Sequence, residues 1–166
     1  MIADQPLLHV LLRDSATKHP DAEALRECAG AAICYQDLDL LSSRFCQYLQ
    51  GIGVGKGDRV GLCLGKSIDA VAAIFGILKA GAAYVPVDPA APAARSAQIF
   101  LDCEIRLLVL DATLPSALQS ELARYNHDLQ QLELQGTGGG KSLAAALDSA
   151  MPTVPSGLVE VEVQPD

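Results

Sequence analysis

GDRVGLCLGKSIDAVAAIFGILKAGAAYVPVD, residues 57–88, is the stretch whose reading decides the fold. Val60–Leu64 is a short apolar run with the length and flanks of a buried strand. Ser67 is placed to cap a helix, with Asp69 in its first turn and Lys79 in its last, where each charge complements the helix dipole. Ile68, Val71, Ala72, Phe75 and Leu78 recur at helical spacing, and Gly81 supplies the stop. Gly76 inside that helix costs about 1 kcal/mol relative to alanine, so a close backbone approach is expected there. Ala82–Val87 is a second apolar run, closed by Asp88-Pro89. Two such runs joined by one helix make a right-handed βαβ unit.

Within this stretch LKAGAAYVPVD, residues 78–88, resembles the second core motif of the AMP-forming adenylation superfamily, which includes acyl-CoA and acyl-AMP ligases and amino-acid-activating domains. The amino-acid-activating form reads LKAG, any residue, AYVP, an aliphatic residue and Asp, and every fixed position is met. Outward from it, Ile33–Leu38 resembles the first core motif, with Cys34 where Thr or Ser is common. Gly53-Val54 followed by Gly57–Val60 is similar to the family's GVxxGDRV, and Asp88–Arg95 to its DPxxPxxR, with Ala91 replacing a common Tyr. The resemblance runs from Leu7 to Leu110 and continues more loosely to Asp166.

The matched motifs build turns, caps and strands. The resemblance implies the parent's chemistry: a carboxylate attacks the α-phosphate of ATP, with magnesium, giving an acyl- or aminoacyl-adenylate and pyrophosphate. A thiol of coenzyme A or of an acyl or peptidyl carrier protein then takes the acyl group. The AYVPVD form points toward an amino-acid-type or carrier-loading ligase over a plain acyl-CoA synthetase. The family's YTSGSTGxPKG-type phosphate loop, its acidic residues for magnesium and ribose, and its C-terminal lysine are not found before Asp166. The expectation is a truncated N-terminal lobe, itself inactive, that stops just short of the nucleotide site. ATP and magnesium are then cofactors of the intact parent, none is expected on this chain, and no residue receives a catalytic, cofactor-binding or metal role. The opening helix begins almost at Met1, which within the family favours a stand-alone ligase or a loading module.

Composition agrees with an α/β lobe. The 166 residues are 50% hydrophobic but only 4% aromatic, so the core must be built from Leu, Val, Ile and Ala, as in parallel sheets and their covering helices. A formal charge of −8 and a pI near 4.7 argue against a nucleic-acid surface. The longest strongly apolar run, Ala70–Leu78, is far short of the roughly 20 residues that span a bilayer, and no signal peptide is evident. Five cysteines without CxxC spacing (Cys28, Cys34, Cys46, Cys63 and Cys103) read as reduced core residues of a cytoplasmic protein.

In order, Leu7–Lys18 reads as a helix and Ala24–Cys28 with Ala31–Tyr35 as a small hairpin. Gln36–Gln50 is a helix with the stripe Leu38, Leu41, Phe45, Tyr48 and Leu49. After the central unit come a helix at Ala93–Asp102, a strand at Arg106–Leu110, a helix at Pro115–Arg124 and a strand at Leu129–Leu134. A glycine-rich loop at Gln135–Lys141, a helix at Ser142–Met151, a linker at Pro152–Gly157 and a half-exposed strand at Val159–Val163 complete the chain. The fold class is α/β: a mainly parallel sheet with helices on both faces and a small N-terminal β-hairpin. As one lobe it divides into an opening helix and hairpin at 1–35, a β/α core at 36–134 and a terminal part at 135–166. A cut sheet would expose an edge or apolar face where the missing remainder docks, so self-association or only marginal stability is expected.

Several patterns imitate functional motifs. Gly136–Ser142, GTGGGKS, approximates a Walker phosphate loop, but its first glycine would fall at Gln135 and a polar run precedes it. Gly51, Gly53, Gly55 and Gly57 lack dinucleotide spacing and precede a strand, whereas the fingerprint must follow one. His9, His19 and His127 show no metal-ligand spacing. Asp37 and Asp39 fall on an early helix turn, where dipole compensation explains them. Two alternatives to the ligase lobe remain: a self-contained α/β binding module, and a small NTPase using Gly136–Ser142.

Overall fold

The computed structural model describes residues 7–112, 116–124, 129–135 and 139–150. Within them the chain runs α1 Leu8–Lys18, β1 Glu23–Arg26, β2 Ala32–Cys34, α2 Tyr35–Gly51, β3 Arg59–Cys63, α3 Ile68–Lys79, β4 Ala83–Pro86, α4 Ala93–Asp102, β5 Leu107–Asp111, α5 Ser116–Arg124, β6 Gln130–Leu134 and α6 Lys141–Ala150. β1 and β2 form an antiparallel hairpin, and the other strands form one parallel sheet in the order β4-β3-β5-β6. The strand expected at Val159–Val163 and the linker before it lie outside the described residues.

Successive strand side chains point to opposite faces, and this sorts the core into two layers. Val60 and Leu62 of β3, Leu107 and Val109 of β5, and Leu132 and Leu134 of β6 pack with α2, α3 and α6. Cys63, Leu108 and Leu110 face the other way, onto Ala97 and Phe100 of α4 and Leu118 and Leu122 of α5. The expected α/β sheet with helices on both faces is therefore the observed one. Gly61 shows why β3 tolerates a glycine: a Cβ there would lie 2.6 Å from Ile105 Cδ1 and 2.9 Å from Phe100 Cε1.

The ends of α3 are built as the sequence indicates. Ser67 Oγ accepts from the Ala70 N–H at 3.1 Å. Gly81 takes φ +78°, the Ala82 N–H donates to Ile77 O and the Gly81 N–H to Leu78 O, both at 3.1 Å, which is a Schellman stop. The buried stripe differs from the expected one. It runs through Ile68, Ala72, Ala73, Gly76 and Ile77, while Val71, Phe75 and Leu78 are only partly buried. Small residues win that face because α2 comes so close: a Cβ on Gly76 would stand 2.8 Å from both Phe45 Cδ1 and Ser42 O.

One expectation needs correction. Only Cys46 and Cys63 are buried, Cys28 is exposed, and all five thiols are free. Cys28 sits in the hairpin turn, where an apolar local sequence still faces solvent. On α1, Leu12 is buried whereas Leu8 and Leu11 are 55% and 46% exposed, because the helix touches the lobe along one narrow line.

Candidate functional site

Two places could assemble chemistry. The first is the carboxyl end of the parallel sheet, where ligands bind in open α/β folds at the point where connections diverge. β3 feeds α3 and β4 on one side, while β5 lies on its other side, so this point falls beside residues 64–67 and 111–112. Gly65 and Lys66 are exposed there, and the Ser67 hydroxyl is committed to capping α3. Burial pushes the Cys63 thiol up to about 11, helped by the Asp88 charge. It is therefore protonated at neutral pH and no nucleophile.

The second place is the glycine-rich segment before α6, of which Gly139 onward is described; Gly136–Gly138 lie outside the described residues, as does His127. Gly139 and Gly140 both take φ +76°, which aims their amides inward. The Gly139 N–H donates to Glu27 Oε1 at 2.9 Å, and the Ile68 N–H at the start of α3 donates to the same oxygen at 2.7 Å. Two residues into α6, the Leu143 N–H donates to Asp69 Oδ1 at 2.9 Å. A helix N-terminus of this kind is a ready anion site, and here the chain's own carboxylates fill it. Those backbone bonds hold Glu27 below the ordinary carboxylate range, while burial outweighs them at Asp69 and raises it.

This arrangement does not fit a triphosphate. A phosphate on these amides would displace Glu27 or Asp69 and then face the Glu27 charge. Lys141 is exposed and Ser142 is buried. Gly140 is pressed between Ile68, Leu41 and Ile33, its Cβ position 3.1 Å from Ile68 Cγ2. Among the described residues of Gly136–Ser142, the arrangement therefore does not favour the small-NTPase alternative. Among the described residues no three His, Cys, Asp or Glu side chains are grouped to hold a metal ion. His9 is lowered by burial and then by the charges of Lys79 and Arg13, so it stays neutral near pH 7.

The sequence missed where three charges go. Asp69 and Lys79 read as dipole partners of α3, but Asp69 is 1% exposed and reaches α6. Lys79 Nζ donates to Asp39 Oδ1 at 2.7 Å, Asp39 O at 2.9 Å, and Ser42 Oγ and Ser43 Oγ at 2.8 Å each. Asp39 is thus the α2 partner of α3. Glu27 carried no signal at all, since its partners lie in segments far away in sequence. These side chains join elements to one another.

Over residues 12–160 the chain matches the family described as AMP-binding enzyme. It is 33% identical over 135 residues to nonribosomal peptide synthetase atnA of Emericella nidulans, covering 81% of this chain and 2% of that protein. It is 41% identical over 105 residues to syringomycin synthase SyrB1 of Pseudomonas syringae pv. syringae, covering 63% of this chain and 17% of that one. The solved complex of VinN with 3-methylaspartate superposes with a TM-score of 0.76 at 27% identity, over 96% of this chain and 41% of that chain. The chain thus spans less than a fifth of the length of these two curated relatives. No described helix is long and apolar enough to cross a membrane. With the parallel sheet, the Schellman turn inside LKAGAAYVPVD and a match over nearly all its length, this chain belongs to the AMP-binding enzyme family.

Proposed function

We propose that these residues are the N-terminal lobe of an AMP-forming ligase that activates an amino acid as its adenylate, using ATP and magnesium and releasing pyrophosphate. The activated acyl group then passes to a carrier-protein thiol, with coenzyme A as the alternative acceptor. The observation that carries this reading is LKAGAAYVPVD, met at every fixed position and folded as helix end, left-handed glycine and strand. The peptide-synthetase relatives and the VinN complex with 3-methylaspartate support an amino acid over a fatty acid.

Alone, the lobe forms no adenylate. Catalysis of this kind needs preorganised charge around the triphosphate, and the amides of Gly139 and Leu143 at the start of α6 are spent on Glu27 and Asp69. Its first partner is the remainder of such an enzyme. Among the described residues β4 pairs with β3 alone and exposes Tyr84, so its outer edge offers backbone groups to that remainder and, without it, to a second copy. The free cysteines support a cytoplasmic setting.

The test is a chimera in which these residues replace the corresponding lobe of a peptide-synthetase adenylation domain, read by amino-acid-dependent exchange of pyrophosphate into ATP. Retained exchange is expected. A chimera that folds and binds amino acid but exchanges nothing would refute the assignment.

A further inference from the structure

Asp69 differs from the other carboxylates described. It is 1% exposed, its Oδ1 accepts from the Leu143 N–H, and its Oδ2 is buried with no hydrogen-bond partner among the described residues; burial outweighs the Leu143 and Gly140 amides, which favour its ionised form. Next to it, Gly140 is crowded by apolar side chains: Ile68 of α3, Leu41 of α2 and Ile33 of β2. Glu27, from the hairpin turn, is anchored to the neighbouring residues Ile68 and Gly139 and adds a like charge. Lys66 and Lys141 flank the place but are exposed, and Arg44 of α2 pairs with Asp148 two turns further along α6.

We propose that Asp69 is a proton-operated latch: neutral, it keeps α6 and Gly139-Gly140 seated on α3, and its ionisation loosens them. A neutral carboxyl keeps Oδ1 as acceptor and carries its proton on Oδ2, so no charge is buried. An ionised one leaves a charge inside the lobe beside Glu27 with Oδ2 unpaired, and burying such a charge is costly, more so than the Leu143 and Gly140 amides offset. Gly140 and α6 are the lid over that carboxylate, so lifting them is the smallest movement that hydrates it. The raised proton affinity of Asp69, caused first by burial, agrees with this. The sign follows: the folded state holds its proton more tightly than the unfolded chain, so the stabilisation is complete below 3.8 and is lost as pH rises through the folded value.

Hydrogen-exchange protection of the α6 amides, across roughly pH 4 to 8 and corrected for intrinsic rates, tests this, with β5 amides as the reference for global opening. In the parent chain α6 protection should fall as pH rises, by up to about tenfold per pH unit within the titration window, while β5 protection changes less. Asp69→Asn should abolish that slope. Should it fail to fold, Glu27→Gln decides: removing the like charge should move the fall in protection to higher pH if the lost charge had favoured ionisation and to lower pH if, as here, it opposes it. A flat or rising α6 profile, an unchanged slope in Asp69→Asn, or no downward shift in Glu27→Gln would overturn the latch.

Discussion

Gly76→Ala puts the packing of α3 against α2 to the test, because two effects of known size oppose each other there. Removing a helix-interior glycine favours the helix by about 1 kcal/mol. Against that, the new methyl would stand 2.8 Å from Phe45 Cδ1 and 2.8 Å from Ser42 O. Phe45 is fully buried, and Ser42 O belongs to the α2 backbone, so neither yields by a simple rotamer change. Reaching ordinary contact needs the helices to part by about 0.6 Å, and overpacking of this kind costs about 1–3 kcal/mol. Because the clash is with backbone, the upper part of that range applies, and the net expectation is a loss of roughly 1–2 kcal/mol. That is about a 5- to 30-fold drop in the folded-to-unfolded ratio. Urea unfolding followed by far-ultraviolet circular dichroism reads it as a lower midpoint at unchanged slope. Gly51→Ala is the matched control: it ends α2, has nothing within 4 Å and is not at positive φ, so it should gain up to about 1 kcal/mol. A Gly76→Ala chain as stable as its parent would refute the close-approach argument.

Further expectations concern charge and thiols. Lys79→Ala removes the donor shared by Asp39, Ser42 and Ser43 and should cost about 1.5–3 kcal/mol, read by the same urea titration; a change below the error of the extrapolation would show the network is idle. Glu27 is held below its ordinary 4.5 by bonds from Ile68 and Gly139, so its stabilisation is present above that value and lost as pH falls through the folded one. Glu27→Gln should therefore flatten the acid limb of a thermal-stability profile, and an unaltered limb would contradict the assignment. At pH 8, a chromogenic disulfide reagent should label exposed Cys28 first, and Cys46 and Cys63 only with denaturant.

The sequence announces those parts of the fold that depend on local physics. Ser67 and Gly81 mark the ends of α3 because capping and left-handed turns are decided within a few residues. β3 and β5 show as apolar runs because both of their faces are covered. What stayed hidden depends on distance. Asp69 meets Leu143 across 74 positions, Lys79 meets Asp39 across 40 and Glu27 meets Gly139 across 112, and no local period encodes such meetings. For the same reason the exposed side of α1 and the rotated stripe of α3 were illegible: periodicity gives a helix its apolar face but not the width of its neighbour's contact. At the candidate site, the missing first glycine of GTGGGKS was readable as one absent residue. That the amides at the start of α6 serve internal carboxylates required the fold.

The most direct measurement for the account as a whole is pyrophosphate exchange into ATP by the purified 166-residue chain, with magnesium and a panel of amino acids and fatty acids. The expected result is a rate equal to the protein-free background for every acid, together with exchange once these residues form part of a complete adenylation domain. Exchange by the chain alone that requires one particular acid would contradict the reading of this lobe as scaffold.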